Sequence, residues 1–479
     1  MNRQIRRVGV VLMGLFVALF LQLNYLQLFR ADSLANDPRN TRAAVRDFSR
    51  PRGQIVAADG AVLARSIDAD TQFERLREYP ERDLFGHLTG YFSFTYGASG
   101  LERVYNDELA GRDLGIESLK DLVVDRTVTG DVFITASKGL QQVARDALGP
   151  RRGSVVALDP TTGAVLAMWS FPSFDPNVLS RHTQSDVQAA WNLLNAEPSN
   201  PLLGRAYQET FAPGSTFKVI TSAAALERAP ELVTKTYPVL RQLELPRTDR
   251  TLPNFGGGSC GGTLVDLLRV SCNTGFGQMG LDLGAEALVG EARDFGFDSR
   301  PPLDLTAVAR AAIPDASDFE RNEPALAYSA IGQQDVRATP LQMALVAGAV
   351  ANSGVIMRPH LLAEVHDDEG DVVRRYEPDE WKTPVSPETA TQLRELMINV
   401  VERGTGGRAR VAGAVVGGKT GTAQTTGDNA HAWFVGFGEK ADRRIAVAVI
   451  VESQPGVSEA TGGRVAAPIA QAVMQAFFG

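Results

Sequence analysis

The chain has 479 residues, 44% of them hydrophobic and 22% charged, so at roughly 150 residues per domain it holds about three units and a large core, which excludes a small stapled scaffold or a disordered chain. Arg3, Arg6, Arg7 and Arg30 have no acid among them, so a net charge of −8 leaves −12 on residues 31–479, a balance that disfavours nucleic acid as a partner. Two cysteines cannot build a disulfide framework, and the five histidines, His87, His182, His360, His366 and His431, lack metal-ligand spacing, so no metal or cofactor is expected.

The first predicted element is a membrane helix. Val8 to Phe29 carry no charge, and as a helix they would span roughly 33 Å, enough for a bilayer core. The arginines at 3, 6 and 7 predict a cytoplasmic N-terminus and an extracytoplasmic remainder, in a single-pass plasma-membrane topology. A cleaved signal peptide is the alternative, but the stretch is long for one and the Phe29-Arg30-Ala31-Asp32 exit lacks a small-x-small site. Asn24 and Gln27, one turn apart, either bond a partner helix in lipid or mark the exit from the bilayer.

Residues 31–150 read as a small mixed domain. Gly53 to Leu63 predict a strand-turn-strand around Asp59-Gly60. A second domain, 151–479, opens with two β-prone runs, Ser154 to Asp159 and Ala164 to Ser170, flanking the turn Pro160-Thr161-Thr162-Gly163. Helical stretches follow at Ser215 to Glu227, Leu264 to Arg269, Pro340 to Ala351 and Pro387 to Arg403. Val415 to Gly418, Ala432 to Phe437 and Ile445 to Val451 predict an antiparallel meander, and Val465 to Phe478 a closing helix. Strands at the two ends must therefore meet across a helical insertion, an α+β arrangement.

Three short patterns carry chemistry. In Pro213-Gly214-Ser215-Thr216-Phe217-Lys218 a hydroxyl and an amine stand three residues apart on one helical face, a nucleophile beside a base. Serine at that place is also an ordinary helix cap, and alone the pattern decides little. Ser271-Cys272-Asn273 adds a hydroxyl and an amide after a short apolar helix, and Lys419-Thr420-Gly421-Thr422 follows a strand. Chance places all three in one such chain about 0.01 times, so their conjunction is the signal.

On these residues the chain resembles the penicillin-binding transpeptidases, specifically the monofunctional class B branch and its actinobacterial PbpA-like members. Arg52-Gly53-Gln54-Ile55 with Asp59-Gly60, Gly100-Leu101-Glu102, Gly153 to Pro176, and His431 to Phe437 extend the resemblance over nearly the whole chain. It implies a five-stranded antiparallel sheet between helices, standing on a pedestal domain over 31–150, with 1–30 as cytoplasmic tip and anchor. It implies a peptidoglycan D,D-transpeptidase in wall synthesis, inhibited by β-lactams, needing no cofactor and working beside a SEDS-family glycan polymerase. Ser215 would attack the penultimate carbonyl of a stem peptide ending in D-Ala-D-Ala. Lys218 would accept its proton if burial and Lys419 keep it neutral. Ser271 would relay a proton to the leaving amine and Asn273 orient the lysine or substrate. Lys419, Thr420 and Thr422 would bind the terminal carboxylate, while Gly421 admits a ligand backbone to the strand edge. By analogy the N–H groups of Ser215 and Thr422 form the oxyanion hole.

Other readings are weaker. A D,D-carboxypeptidase or β-lactamase would pass the acyl group to water, yet the nearest deacylating glutamate, Glu395, falls on an amphipathic helix with Leu393, Leu396, Met397 and Val400 facing a core. A β-lactam sensor would need more than about seven cytoplasmic residues, and an idle scaffold would not need the intact trio. About 120 residues before the catalytic domain fit a pedestal better than a glycan polymerase domain. His431 and Trp433 line the cleft or pack the strand. Cys260 and Cys272, with eleven residues between them, lie in a compartment that permits a disulfide, which would tie Gly256-Gly257-Gly258 to the Ser271–Asn273 motif.

Overall fold

The computed structural model describes residues 2–29, 48–71, 73–111, 129–424, 430–453 and 461–479, without the side chains of residues 2 and 27–29. The Gln27 side chain, Arg30 and the anchor's exit lie outside the described residues, as does part of the segment 31–150.

Two compact units emerge. The first contains helix α1 (Asn2–Phe29), whose Arg3–Leu26 stretch is long and apolar enough to cross a membrane. Its valines, leucines and phenylalanines from Val8 to Leu23 are exposed, which in water would be costly but suits a lipid-facing helix. Asn24 Nδ2 donates to Phe20 O within the same helix, at 2.8 Å. The same unit includes Ile67–Leu76, where Phe73 is buried and stacks obliquely on Phe48 at 5.9 Å between centroids.

The second unit starts with the predicted turn. Ile55–Val56 pairs antiparallel with Val62–Asp68, and Gly60 takes the positive φ of 81° that its turn requires. Ile55–Val56 also pairs with Asp131–Ile134, which in turn pairs with Leu362–His366 and, through it, Val372–Arg375. A hairpin from the C-terminal half of the chain thus completes this N-terminal sheet. Beside it, Glu102 is fully buried between Arg52 (2.7 Å) and Arg77 (2.6 Å). Burial pushes the Glu102 carboxyl up, but Arg77 and Arg52 outweigh it and hold it below the usual range. That contact joins the Arg52-Gly53 and Gly100-Leu101-Glu102 patterns into one structural device.

The remaining elements used below, in chain order, are α2 (Lys138–Leu148), β1 (Gly153–Leu158), β2 (Val165–Phe171), α3 (Lys218–Arg228), α4 (Leu264–Val270), α5 (Asn273–Leu283), α6 (Pro340–Ala351), α7 (Pro387–Arg403), β3 (Val415–Gln424), β4 (Ala430–Lys440), β5 (Arg443–Val451) and α8 (Ala467–Phe478). The five strands form one antiparallel sheet of order β3-β4-β5-β1-β2. The two strand groups meet where Val451 pairs with Gly153 and Ala446 with Leu158. Helices α2 and α8 pack together on this sheet, and α6 and α7 form a second helical group against it. Every residue of β1 is buried, as expected of a strand covered on both faces. This is the α+β arrangement, a five-stranded antiparallel sheet between helices, that the resemblance implies.

Candidate active site

Ser215 does not sit on an α-helix. Gly214–Phe217 form a 3₁₀ turn and α3 begins at Lys218, so the tighter winding precedes the amine. The turn is fastened on two sides: Gly214 N donates to Gly332 O at 2.9 Å, in the turn after the helix Glu323–Ser329, and Trp433 Nε1 of β4 donates to Ala212 O at 3.1 Å. Glycine is required at 421, because a Cβ there would stand 2.9 Å from Thr216 Cγ2 and 3.0 Å from Pro213 O. Gly421 therefore admits the nucleophile's turn, and its missing side chain faces that turn instead of a ligand. Ser215 is half-buried and opens onto a cleft of about 1360 Å³.

Lys218 is fully buried and converges with the second pattern. Its Nζ donates to Ser271 O at 2.8 Å and Asn273 Oδ1 at 2.7 Å, with Ser271 Oγ at 3.3 Å. A neutral amine has two N–H donors and one lone pair. The two carbonyl acceptors use both donors, which leaves the lone pair for a hydroxyl proton. Burial, and then the Lys419 ammonium, hold Lys218 well below its ordinary pKa, so the neutral form that this geometry suits is also the favoured one.

Ser271 caps α4 in the left-handed region, with φ 61° and ψ 43°. A non-glycine residue there costs about 1 kcal/mol, and this twist turns both its carbonyl and its hydroxyl toward the lysines. Lys419 Nζ donates to Ser271 Oγ and to Thr420 O, both at 2.8 Å. Lys419 lies inside β3, which runs beyond the Gly418 at which the sequence pattern predicts its end, and burial pushes its pKa down to about 7. Thr420 and Thr422 line the cleft. β3 is an edge strand of its sheet, and among the described residues no strand pairs with its outer side, the side on which an extended ligand can add.

The Cys260–Cys272 disulfide is closed. It binds the strand Cys260–Gly262, itself paired with Tyr237–Leu240, to the middle residue of Ser271–Asn273. Closing a loop this short contributes about 3 kcal/mol in the chain-entropy model.

Two residues escaped the sequence reading. Asn254 Oδ1 accepts from Asn273 N and Thr274 N, both at 3.0 Å, and so caps α5 from a distant segment. Its amide donates to Leu240 O and Gly258 O. Asn273 Nδ2 donates to Pro253 O at 3.0 Å, so Asn273 is gripped at both ends of its side chain. Thr405 Oγ1 lies 2.6 Å from Thr420 Oγ1. Neither residue belongs to a recognisable pattern, because each acts across a contact that only the folded chain creates.

His431 and Trp433 pack the strand. Trp433 is buried, and His431 Nδ1 accepts from Ser453 N at 3.0 Å. Glu395 is exposed on α7, while Leu393, Leu396, Met397 and Val400 are buried.

Residues 153–475 match the family model of the penicillin-binding protein transpeptidase domain, and 52–132 that of the penicillin-binding protein A dimerisation domain. The chain is 41% identical to the peptidoglycan D,D-transpeptidase PbpA of Mycolicibacterium smegmatis and 39% identical to that of Mycobacterium tuberculosis, over 99% of each chain. Among solved structures, penicillin-binding protein A from M. tuberculosis superposes with a TM-score of 0.81 at 37% identity, covering 90% of this chain and 100% of that one. Its penicillin G acyl-enzyme complex gives 0.81 at 38% identity over the same shares.

Proposed function

Because the chain belongs to the class B penicillin-binding D,D-transpeptidases of the PbpA type, we propose that Ser215, Lys218, Ser271, Asn273 and Lys419 carry out its acyl transfer. The enzyme is a serine-type peptidoglycan D,D-transpeptidase and a β-lactam target. Ser215 Oγ attacks the penultimate carbonyl of a stem peptide ending in D-Ala-D-Ala as its proton passes to Lys218. The tetrahedral oxyanion is held by the N–H groups of Ser215 and Thr422. Collapse expels D-alanine, protonated through Ser271, and leaves an ester on Ser215. An amine of a second peptide then attacks that ester, and the reverse proton path frees the serine. Lys419, Thr420 and Thr422 hold the terminal carboxylate, whose arrival raises the Lys419 pKa from about 7 and restores its charge. The observation that carries this assignment is the convergence of a neutral-favouring amine and a second lysine on Ser271, in the cleft that exposes Ser215.

The N-terminal helix fits a membrane anchor. We place the N-terminus in the cytoplasm and the rest outside, with 31–150 as a pedestal to which the hairpin 362–375 contributes. A SEDS-family polymerase is the proposed partner that supplies the glycan strands.

The reading is tested by adduct lifetime. Benzylpenicillin should give a one-to-one penicilloyl adduct that maps to the Ser215 peptide and persists over many minutes, because exposed Glu395 is not placed to activate water. Steady β-lactam hydrolysis with fast recovery of free enzyme in intact-mass spectra would move the chain to the β-lactamases.

A second test uses Ser271→Gly. Glycine adopts the left-handed cap without strain, so the thermal midpoint should be retained or raised. Losing the hydroxyl that both lysines share should nonetheless slow acylation about 100-fold. An unchanged second-order acylation rate would remove Ser271 from the proton path.

A further inference from the structure

Helix α5 carries Asn273 into the site at its first position, and a helix start leaves backbone N–H groups that need acceptors. The side chain just before the helix ordinarily supplies one. Here that residue is Cys272, whose sulfur is engaged in the disulfide and which makes no cap. The task passes to Asn254, nineteen residues before Asn273. Asn254 stands at the end of a hairpin in which Thr251–Pro253 pairs with Gln242–Glu244, so the start of α5 rests on a separate element of the cleft wall.

Asn254 is buried, and an amide side chain has two N–H donors and an oxygen with two acceptor positions. All four are filled. Oδ1 takes the N–H groups of Asn273 and Thr274, while Nδ2 donates to Leu240 O at 2.8 Å and to Gly258 O at 3.1 Å. The backbone is tied as well: Asn254 N donates to Arg241 O at 3.2 Å, and Asn254 O accepts from Gly257 N at 3.0 Å. A side chain held at four points on a backbone held at two is a fixed support for the first turn of α5.

The preceding residue acts on the same target. Pro253 O accepts from Asn273 Nδ2, and this bond decides which way round the Asn273 amide lies. With Nδ2 on Pro253, Oδ1 is presented to Lys218 and accepts from its Nζ at 2.7 Å; the opposite orientation would set N–H against N–H. Pro253 thus chooses the end of the amide that faces the amine, and Asn254 sets where the backbone of Asn273 stands. The direction of the Lys218 lone pair follows from its two carbonyl partners, Asn273 Oδ1 and Ser271 O.

Resting on the transpeptidase reading above, we propose that Asn254 is a positioning residue for the general base: acting through Asn273, it fixes the acceptors of the Lys218 amine so that the lone pair is left for the Ser215 proton. The step that depends on it is acylation itself. Binding of the β-lactam before acylation does not, because its carboxylate is taken by Lys419, Thr420 and Thr422.

The test uses the full chain in detergent, with benzylpenicillin acylation resolved by rapid mixing into a binding constant and a first-order rate constant across pH. Asn254→Ala should lower the rate constant about 10- to 100-fold, the cost of a misplaced catalytic group, with the binding constant unchanged. It should also move the acidic limb of the rate to lower pH, because a displaced Asn273 withdraws an acceptor that favours the ammonium form of Lys218. Asn254→Asp keeps the oxygen that caps α5 and should recover most of the rate. Its negative charge behind Asn273 favours the ammonium, so its acidic limb moves the other way, to higher pH. Lys419, the charged neighbour of Lys218, is unchanged in both variants. Ser386→Ala is the control: Ser386 Oγ caps α7 by accepting from Thr389 N at 3.3 Å and lies outside the cleft lining, so its loss should lower the thermal midpoint while the rate constant and the acidic limb stay as in the wild type. An unchanged rate constant in Asn254→Ala, a loss carried wholly by the binding constant, or acidic limbs that do not move would overturn the proposal. Should Asn254→Ala not fold, the limb of Asn254→Asp decides alone, upward for the proposal and unmoved against it. A wild type that never labels refutes the transpeptidase reading, whereas a wild type that labels beside an unaffected Asn254→Ala refutes the positioning role only.

Discussion

Ser215→Ala is expected to abolish the penicilloyl adduct while leaving the fold intact. The substitution removes one half-exposed oxygen, and the turn that carries it is held by other groups, among them Gly214 N on Gly332 O and Thr216 Oγ1, which donates to Pro213 O at 2.7 Å. No neighbouring hydroxyl can take over. Thr216 is fully buried and committed to that bond, and Ser271 Oγ accepts from Lys419. Intact-mass spectrometry after prolonged exposure to benzylpenicillin checks the loss, with a thermal melt to confirm folding. A stoichiometric adduct on the variant would place the nucleophile elsewhere.

How far the sequence reveals this site depends on the range of the interactions involved. The pairs Ser154–Asp159 with Ala164–Ser170 and Gly53–Val56 with Val62–Leu63 are legible because apolar, β-prone runs flank a turn whose chemistry is local, and the observed strands and turns lie there. Helices Pro340–Ala351 and Pro387–Arg403 are bounded by proline starts that sequence alone displays. Strand β3 is read short because Gly417-Gly418-Lys419-Thr420-Gly421 lacks the β-branched apolar run that marks strands, and its pairing with β4 supplies what propensity does not. The trio is legible as a pattern, but the left-handed cap at Ser271 is a backbone choice that serine does not announce. Asn254, Thr405 and the hairpin 362–375 are silent in sequence, since each meets its partner only after the chain has returned from a distance.

The lysine pair yields the sharpest expectation. Lys218→Met should slow acylation of Ser215 roughly 10²- to 10⁴-fold, the range that loss of a positioned general base produces. Methionine suits the site sterically: the Lys218 side chain is fully buried with its Nζ 5.4 Å above the Phe276 ring, and an unbranched apolar chain fills such a space without burying a charge. Slow labelling would therefore reflect lost chemistry and not lost structure. The pH profile separates the two further. In the wild type Lys218 acts only when neutral, so acylation declines as pH falls through its depressed pKa and stays on a plateau above it. Lys419 has the opposite requirement, since it must be charged to hold a carboxylate. Its pKa of about 7 in the free enzyme gives an alkaline decline in kcat/KM there, which moves upward in the carboxylate-bound complex. The variant should keep that alkaline limb and lose the acidic one. A near-normal rate, or an acidic limb unchanged by the substitution, would assign the base to another group in the cleft.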